Sequence, residues 1–284
     1  MVLGRLLAAT DESSDGRHAV RVARRLSQAP ASATILNVLP VPASGEIPAG
    51  RLLSTRDHPD GAPGTDLCRF LEWLGDDGGR DASGSRPEVA VAFGIPGIEI
   101  NRMAEQREVD LVVLGRRPRA PTRRLLLGAT ADAVVRRCDT AVLFVPPEVS
   151  EFRHLLVALD GAERCVHVLE TAHRFAVALG ARLSAVHIQF EEAEDRGGAP
   201  MPRPRRVRLE HLVGQLGKVN GTPVALERGR GDPIDGVLAA ADRIEPDALI
   251  IGYRRGGLPK VFGPSDVARS LLYAAPSAVL TVPL

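Results

Sequence analysis

Two aspartates stand directly behind short apolar runs in this 284-residue chain. Asp11 follows Leu6 to Thr10, and Asp160 follows Leu155 to Leu159. A carboxylate placed there could accept hydrogen bonds from a ribose or a base; the other reading is a cap on the following helix. Gly115 and Gly252 close two further apolar runs, and each leads into a basic loop. In the first loop Arg116, Arg117, Arg119, Arg123 and Arg124 place five arginines within nine residues. Guanidinium groups clamp phosphate oxygens in pairs, whereas a solvated loop is the plainer reading. A second basic run, Pro202 to Arg208, precedes a helical pattern and reads as solvated surface.

Other chemistries fail on inspection. The chain has no Gly-x4-Gly-Lys-Ser/Thr phosphate loop. Gly229 and Gly231 open a dinucleotide-like pattern, but Ile234 stands at its third glycine position. His167 and His173 do not share a helix face, and none of the histidines has metal-ligand spacing. No Ser or Cys sits in a nucleophile elbow. With no general base beside a phosphate, binding without turnover is the expectation.

The elements that must position these residues occur twice. Asp11 pairs with Asp160 at an offset of 149 residues. Gly94 and Pro96 pair with Gly231 and Pro233, Asp110 to Gly115 with Asp247 to Gly252, and Ala141 to Val145 with Ala278 to Val282, all at an offset of 137. The difference of 12 residues falls in the first half, in the Pro/Gly/Ser-rich stretch from Val41 to Pro87, where an insertion is tolerated. In each half, short apolar runs alternate with helical patterns, which indicates βαβ units and a mostly parallel sheet. The reading is α/β: two tandem parallel five-stranded sheets flanked by helices, with domains at 1–148 and 149–284. Pro146 and Pro147 stop the last strand of the first half. Such sheets bind ligands beyond the carboxyl ends of their strands, which is where Asp11, Gly115, Asp160 and Gly252 fall.

Composition narrows the partners. Hydrophobic residues make up 44% and charged residues 25%, ordinary for a globular chain. The net charge of +1 and an aromatic content of 4% give no field or stacking surface for nucleic acid, and no apolar run suits a membrane span. Three scattered cysteines, Cys68, Cys138 and Cys165, suggest a reducing compartment. The early acids Asp11 and Glu12 disfavour a signal peptide, so a cytoplasmic location is expected.

Taken together, Thr10-Asp11, Gly94 to Pro96, Asp110 to Gly115, Leu127 to Asp132 and Ala141 to Val145 resemble the universal stress protein family. So do Leu159-Asp160, Gly231 to Pro233, Asp247 to Gly252 and Ala275 to Val282. The resemblance spans nearly the whole chain in two copies and implies a Rossmann-like three-layer sandwich with a role in stress response. ATP-binding members carry Gly-x2-Gly-x9-Gly-Ser/Thr after the fourth strand, a cradle of backbone N–H groups at a helix start. Here Gly115 is followed by Pro118 at the second glycine position, then by Gly128, Ala129 and, one place late, Thr130. Proline removes one backbone donor; Arg116, Arg117 and Arg119 could replace it. From Gly252 the matching positions hold Arg255, Ser265 and Asp266, and that carboxylate would repel a phosphate. The resemblance therefore implies ATP or AMP in the first domain, at Asp11, Gly115, Arg116, Arg117, Gly128, Ala129 and Thr130. It implies a degenerate second site at Asp160, Gly252, Arg255 and Ser265. The alternative is an interaction module of the same fold that has lost nucleotide binding. The family's edge strands pair between protomers, which implies an internal pseudo-dimer through the two last strands and leaves homodimerisation open.

Overall fold

A computed structural model describes residues 4–27, 32–42, 47–56, 65–79, 86–116, 128–189, 208–220, 224–254 and 267–284. The chain divides into two compact units, Met1–Ser150 with Pro283 and Glu151–Val282 with Leu284.

In the first unit, β1 (Arg5–Thr10) lies between β2 (Ser32–Leu39) and β5 (Leu111–Gly115), parallel to both. β4 (Glu88–Phe93) extends the sheet beyond β2, and β6 (Ala141–Val145) pairs in parallel with β5. Leu6, Leu7, Ala8 and Ala9 are all buried, as helices on both faces require of a central parallel strand. The five-stranded parallel core is therefore present. The Val41 to Pro87 stretch adds to it: β3 (Leu52–Ser54) pairs antiparallel with β4 and makes this sheet six-stranded. A three-residue strand has too few alternating positions to give a periodic signal in sequence.

The same stretch supplies α2 (Thr65–Leu74), which buries Leu67, Phe70 and Leu74. A 3₁₀ turn at Gly75–Gly78 follows. Both are tied to α1 (Ser14–Leu26). The Arg17 guanidinium lies 4.1 Å from the centroid of the Trp73 ring and 3.3 Å from Asp77, which Arg21 also meets at 3.2 Å. α3 (Pro96–Gln106) and α4 (Ala129–Arg137) complete the unit. They pack closely because Gly97 lacks a side chain; a Cβ there would lie 2.5 Å from that of Ala133.

The second unit repeats the plan, with strand order β9 (Val224–Arg230), β8 (Arg182–Gln189), β7 (His154–Ala158), β10 (Ala248–Tyr253), β11 (Ala278–Pro283). Its helices are α5 (Cys165–Leu179), α6 (Leu209–Asn220), α7 (Pro233–Ile244) and α8 (Val267–Ala274).

Two of the repeated anchors prove to be scaffold. Asp110 Oδ2 accepts from the backbone N–H groups of Gly4 and Arg5, each at 2.9 Å. Asp247 Oδ2 accepts from those of Arg153 and His154 at 2.6 and 2.8 Å. In the Gly-x-Pro turns, Gly94 and Gly231 take φ of +154° and +116°, values that favour glycine. Asp232 then caps α7, accepting from Ile234 and Asp235, while Ile95 at the matching place offers α3 no side-chain cap.

His154 starts β7 with Nε2 2.9 Å from Ser184 Oγ. Burial, reinforced by the Arg182 charge, lowers its pKa below the usual histidine value, with Asp247 opposing. The unfolded chain thus binds the proton more readily than the folded one. The contribution from neutral His154 is complete above the unfolded pKa of about 6.5. It is lost as pH falls through the lowered folded value. Urea melts at pH 7.5 and pH 5.5 should show a smaller loss of stability on acidification for His154→Gln than for the unsubstituted chain. Equal losses would count against this assignment.

Candidate functional site

The carboxyl ends of β7, β8 and β9 converge on a cleft of about 550 Å³, lined by Asp160, Gly161, His187, Gln189, Arg228 and Arg230 among others. The parallel register sets this convergence. Ala158 lies opposite Val186, and His187 and Gln189 lie opposite Arg228 and Arg230. Leu209, in the first turn of α6, closes one side.

The cleft presents acceptors on one side and cations on the other. His187 Nδ1 lies 2.8 Å from the Leu159 carbonyl oxygen. A carbonyl only accepts, so Nδ1 carries the proton and the neutral ring keeps Nε2 as an acceptor. Asp160 Oδ1 accepts from the Ala162 N–H at 2.9 Å, and Oδ2 accepts from Arg164 at 2.9 and 3.2 Å. Arg228 pairs with Glu210 on α6. Arg230 is exposed and has no ion-pair partner among the described residues. Gly161 has φ of +72°, and a Cβ there would lie 3.1 Å from His187 Cε1. Cys165, in the first turn of α5, is no nucleophile at neutral pH: burial, aided by the Asp160 carboxylate, raises its pKa to about 11.

The same end of the first unit is arranged differently. Asp11 Oδ1 accepts from the Ser13 N–H at 3.1 Å, and it is Ser13, not Asp11, that caps α1 by accepting from Gly16 N–H. The capping alternative for Asp11 is thereby corrected: the aspartate shapes the turn, and the shorter serine reaches the helix. Glu12 has φ of +62°, and its N–H donates to Thr10 Oγ1 at 3.1 Å. Its Oε1 accepts from Asn37 Nδ2 at 3.0 Å and lies 3.7 Å from Arg69 on α2.

Of the residues expected to cradle phosphate, Gly115 and Gly252 have packing reasons to lack a side chain. A Cβ on Gly115 would lie 2.4 Å from the Asp15 carbonyl oxygen, and one on Gly252 would lie 2.9 Å from both Val168 and Leu284 side chains. Arg116 donates its backbone N–H to Val145 O at 2.9 Å, and burial lowers its side-chain pKa to about 10. Gly128 precedes α4 with φ of −57° and no side-chain cap, and a Cβ there would meet no atom within 4 Å. Ala129 is exposed and Thr130 half-buried in the first turn of α4. Asp11 and Gly115 each pack against the start of α1: a Cβ on Gly16 would touch Thr10 and Asp11, and one on Gly115 would touch Asp15 and Gly16. Arg117, Arg255 and Ser265 lie outside the described residues.

His187, Gln189, Arg228 and Arg230 were not among the site residues expected from sequence. The usable signal was positional: the rule that ligands sit beyond the carboxyl ends applies to the second and third strands as well as to the first and fourth. Among the described residues no group of three or more His, Cys, Asp or Glu could hold a metal ion. No helix among them is long and apolar enough to cross a membrane.

The duplicated α/β units with this carboxyl-edge arrangement define a class of protein, and sequence comparison identifies it. The Universal stress protein family model matches residues 3–146 and again 151–283. The chain therefore belongs to the universal stress protein family, in a tandem form. A universal stress protein from Archaeoglobus fulgidus DSM 4304 is similar in structure over 100% of this chain and 99% of its own, with a TM-score of 0.72 and 19% identity. A functionally unknown protein from Pseudomonas aeruginosa PAO1 aligns over 99% of this chain and 92% of its own, with a TM-score of 0.60 and 13% identity. At these identities the likeness is one of fold. No curated protein sequence matches the chain significantly.

Proposed function

We propose that this protein binds an adenine nucleotide at the carboxyl edge of the second unit and responds to it without turning it over, as a cytoplasmic stress-response regulator. The observation that carries the reading is the cleft of about 550 Å³ over β7, β8 and β9. Its size suits a nucleotide-sized ligand. Asp160 and His187 Nε2 offer acceptors to hydroxyl or amino groups, and Arg230 offers a cation to a phosphate. The resemblance to ATP-binding family members placed ATP or AMP in the first domain. The cleft lined by Asp160, His187 and Arg230 supports placing the nucleotide in the second unit. Cys68, Cys138 and Cys165 form no disulfide among the described residues, which suits a reducing compartment.

Titration calorimetry with AMP and ATP tests the proposal. Arg230→Ala should weaken binding about tenfold, the loss of one charge-assisted hydrogen bond of about 1.5 kcal/mol. His187→Ala should weaken it comparably. Unchanged affinity in both variants, or no heat from the unsubstituted protein, would remove the reading. Incubated ATP should remain intact over hours; steady release of ADP would argue for an enzyme instead.

A second reading, an interaction module that needs no nucleotide, draws support from Gly115 and Gly252, whose bare Cα atoms are filled by packing. Silent calorimetry would favour it. Pairing of the two last strands within one chain is part of either reading, and solution scattering that finds the units well separated would sink it.

A further inference from the structure

We infer that Glu12 occupies the first unit's counterpart of the second-unit cleft, so that the duplicated chain takes one ligand and not two. The inference rests on the nucleotide reading above and assigns Glu12 and Gly161 as residues that close the position in the first unit and leave it open in the second.

The equivalence comes from sheet register. Ala9 is opposite Leu36 and Thr10 opposite Asn37 in the first unit, while Ala158 is opposite Val186 in the second. Ala9 and Ala158 share a position in the repeat, so Asn37 matches His187 and Glu12 matches Gly161. One pair faces the other at the same point beyond the first two strands in each unit.

The two pairs do opposite things. In the second unit, Gly161 leaves the space open and His187 Nε2 remains an acceptor. In the first, the Glu12 side chain is only 26% exposed and its carboxylate takes the Asn37 amide and faces Arg69. Those two donors are the ones an incoming hydroxyl or phosphate would meet. The carboxylate also places a negative charge where an anionic ligand would approach. The backbone adds an independent mark. Glu12 holds φ of +62°, a left-handed conformation that residues with a Cβ adopt at a cost, whereas Gly161 adopts φ of +72° freely. Asn37 itself is 3% exposed, and its Oδ1 is buried with no hydrogen-bond partner. Glu12 thus satisfies only the donor half of the Asn37 amide.

Exchanging the two residues tests the inference, read as the number of AMP molecules bound per chain by calorimetry. The unsubstituted protein should bind one, and Glu12→Gly should bind two, the second more weakly because Phe93 stands opposite Leu39 where Arg230 stands opposite Gln189. Adding Arg230→Ala should weaken the original site and leave the new one. Gly161→Glu should abolish binding, and the Glu12→Gly/Gly161→Glu double variant should restore one molecule. Glu12→Asn, which tolerates the left-handed backbone and is too short to reach Arg69, should match Glu12→Gly, and guards against a folding defect in either. Binding of one by both the unsubstituted protein and Glu12→Gly overturns the inference and leaves the nucleotide reading intact. None by the unsubstituted protein but one by Glu12→Gly overturns the second-unit reading and upholds the role of Glu12. Two by the unsubstituted protein overturns the inference, and none by either overturns both.

Discussion

Asp110→Ala should lower the unfolding free energy of the first unit by about 2–3 kcal/mol, with Asp247→Ala doing the same to the second. Each carboxylate is the acceptor for two consecutive backbone N–H groups at the start of its unit's central strand. Removing it leaves both donors to find water at the end of a strand whose central residues are buried. Hydrogen bonds to a charged acceptor contribute about 1.5–3 kcal/mol each, and partial exposure places the pair near the lower end. Asp→Asn at either site keeps an acceptor oxygen and should cost less than half as much. Urea melts followed by far-UV circular dichroism provide the measurement, and the two units should shift separately if they unfold separately. A midpoint that does not move in the Ala variants would show that these bonds are replaced by solvent at no cost.

Gly115→Ala is expected to destabilise the first unit by about 1–3 kcal/mol, and Gly128→Ala to leave it unchanged or up to about 1 kcal/mol more stable. The contrast follows from surroundings. A methyl at 115 would start 2.4 Å from the Asp15 carbonyl oxygen and 2.6 Å from its carbon, backbone atoms at the beginning of α1 that cannot swing aside. A methyl at 128 meets nothing within 4 Å, and φ of −57° suits alanine. Thermal melts of the two variants measure the difference. If Gly115→Ala melts as the unsubstituted protein does, the close approach is not the reason for glycine there. The result also bears on function, because weaker nucleotide binding by Gly115→Ala would not by itself report a lost phosphate contact if the scaffold is damaged too.

These two cases show what the sequence could and could not convey. The repeat anchors were legible because duplication made them visible: Asp110 with Asp247, Gly94 with Gly231, and the apolar runs between. From them followed the parallel sheets, the helices between strands and the family. Their jobs were not legible. Asp110 serves amides 106 and 105 residues away, a pairing that no local pattern contains. Gly115 reads as part of a phosphate cradle, and its close approach to Asp15 adds a packing role that the letter alone does not show. Asp11 looked like a cap, yet Ser13 two residues on is better placed for it. The second-unit cleft was missed because its residues lie on strand ends that pair only in three dimensions. Glu12 carries no periodic signal at all. Its meaning depends on φ and on Asn37, opposite its neighbour Thr10 across the sheet.

The central position of β1 has a further consequence, for the order in which the chain acquires its fold. β1 is bonded on one flank to β2 and on the other to β5, with Leu6 opposite both Ala33 and Leu111. During synthesis the first flank is available early, but the second waits until Leu111–Gly115 has left the ribosome. Until then the apolar run Leu6 to Ala9 has one open side, and β7, which carries a similar apolar run, emerges only after β5. Vectorial synthesis thereby lets β5 reach β1 before the near-duplicate strand is free to compete. A denatured full-length chain has no such ordering, since both copies compete for partners at once.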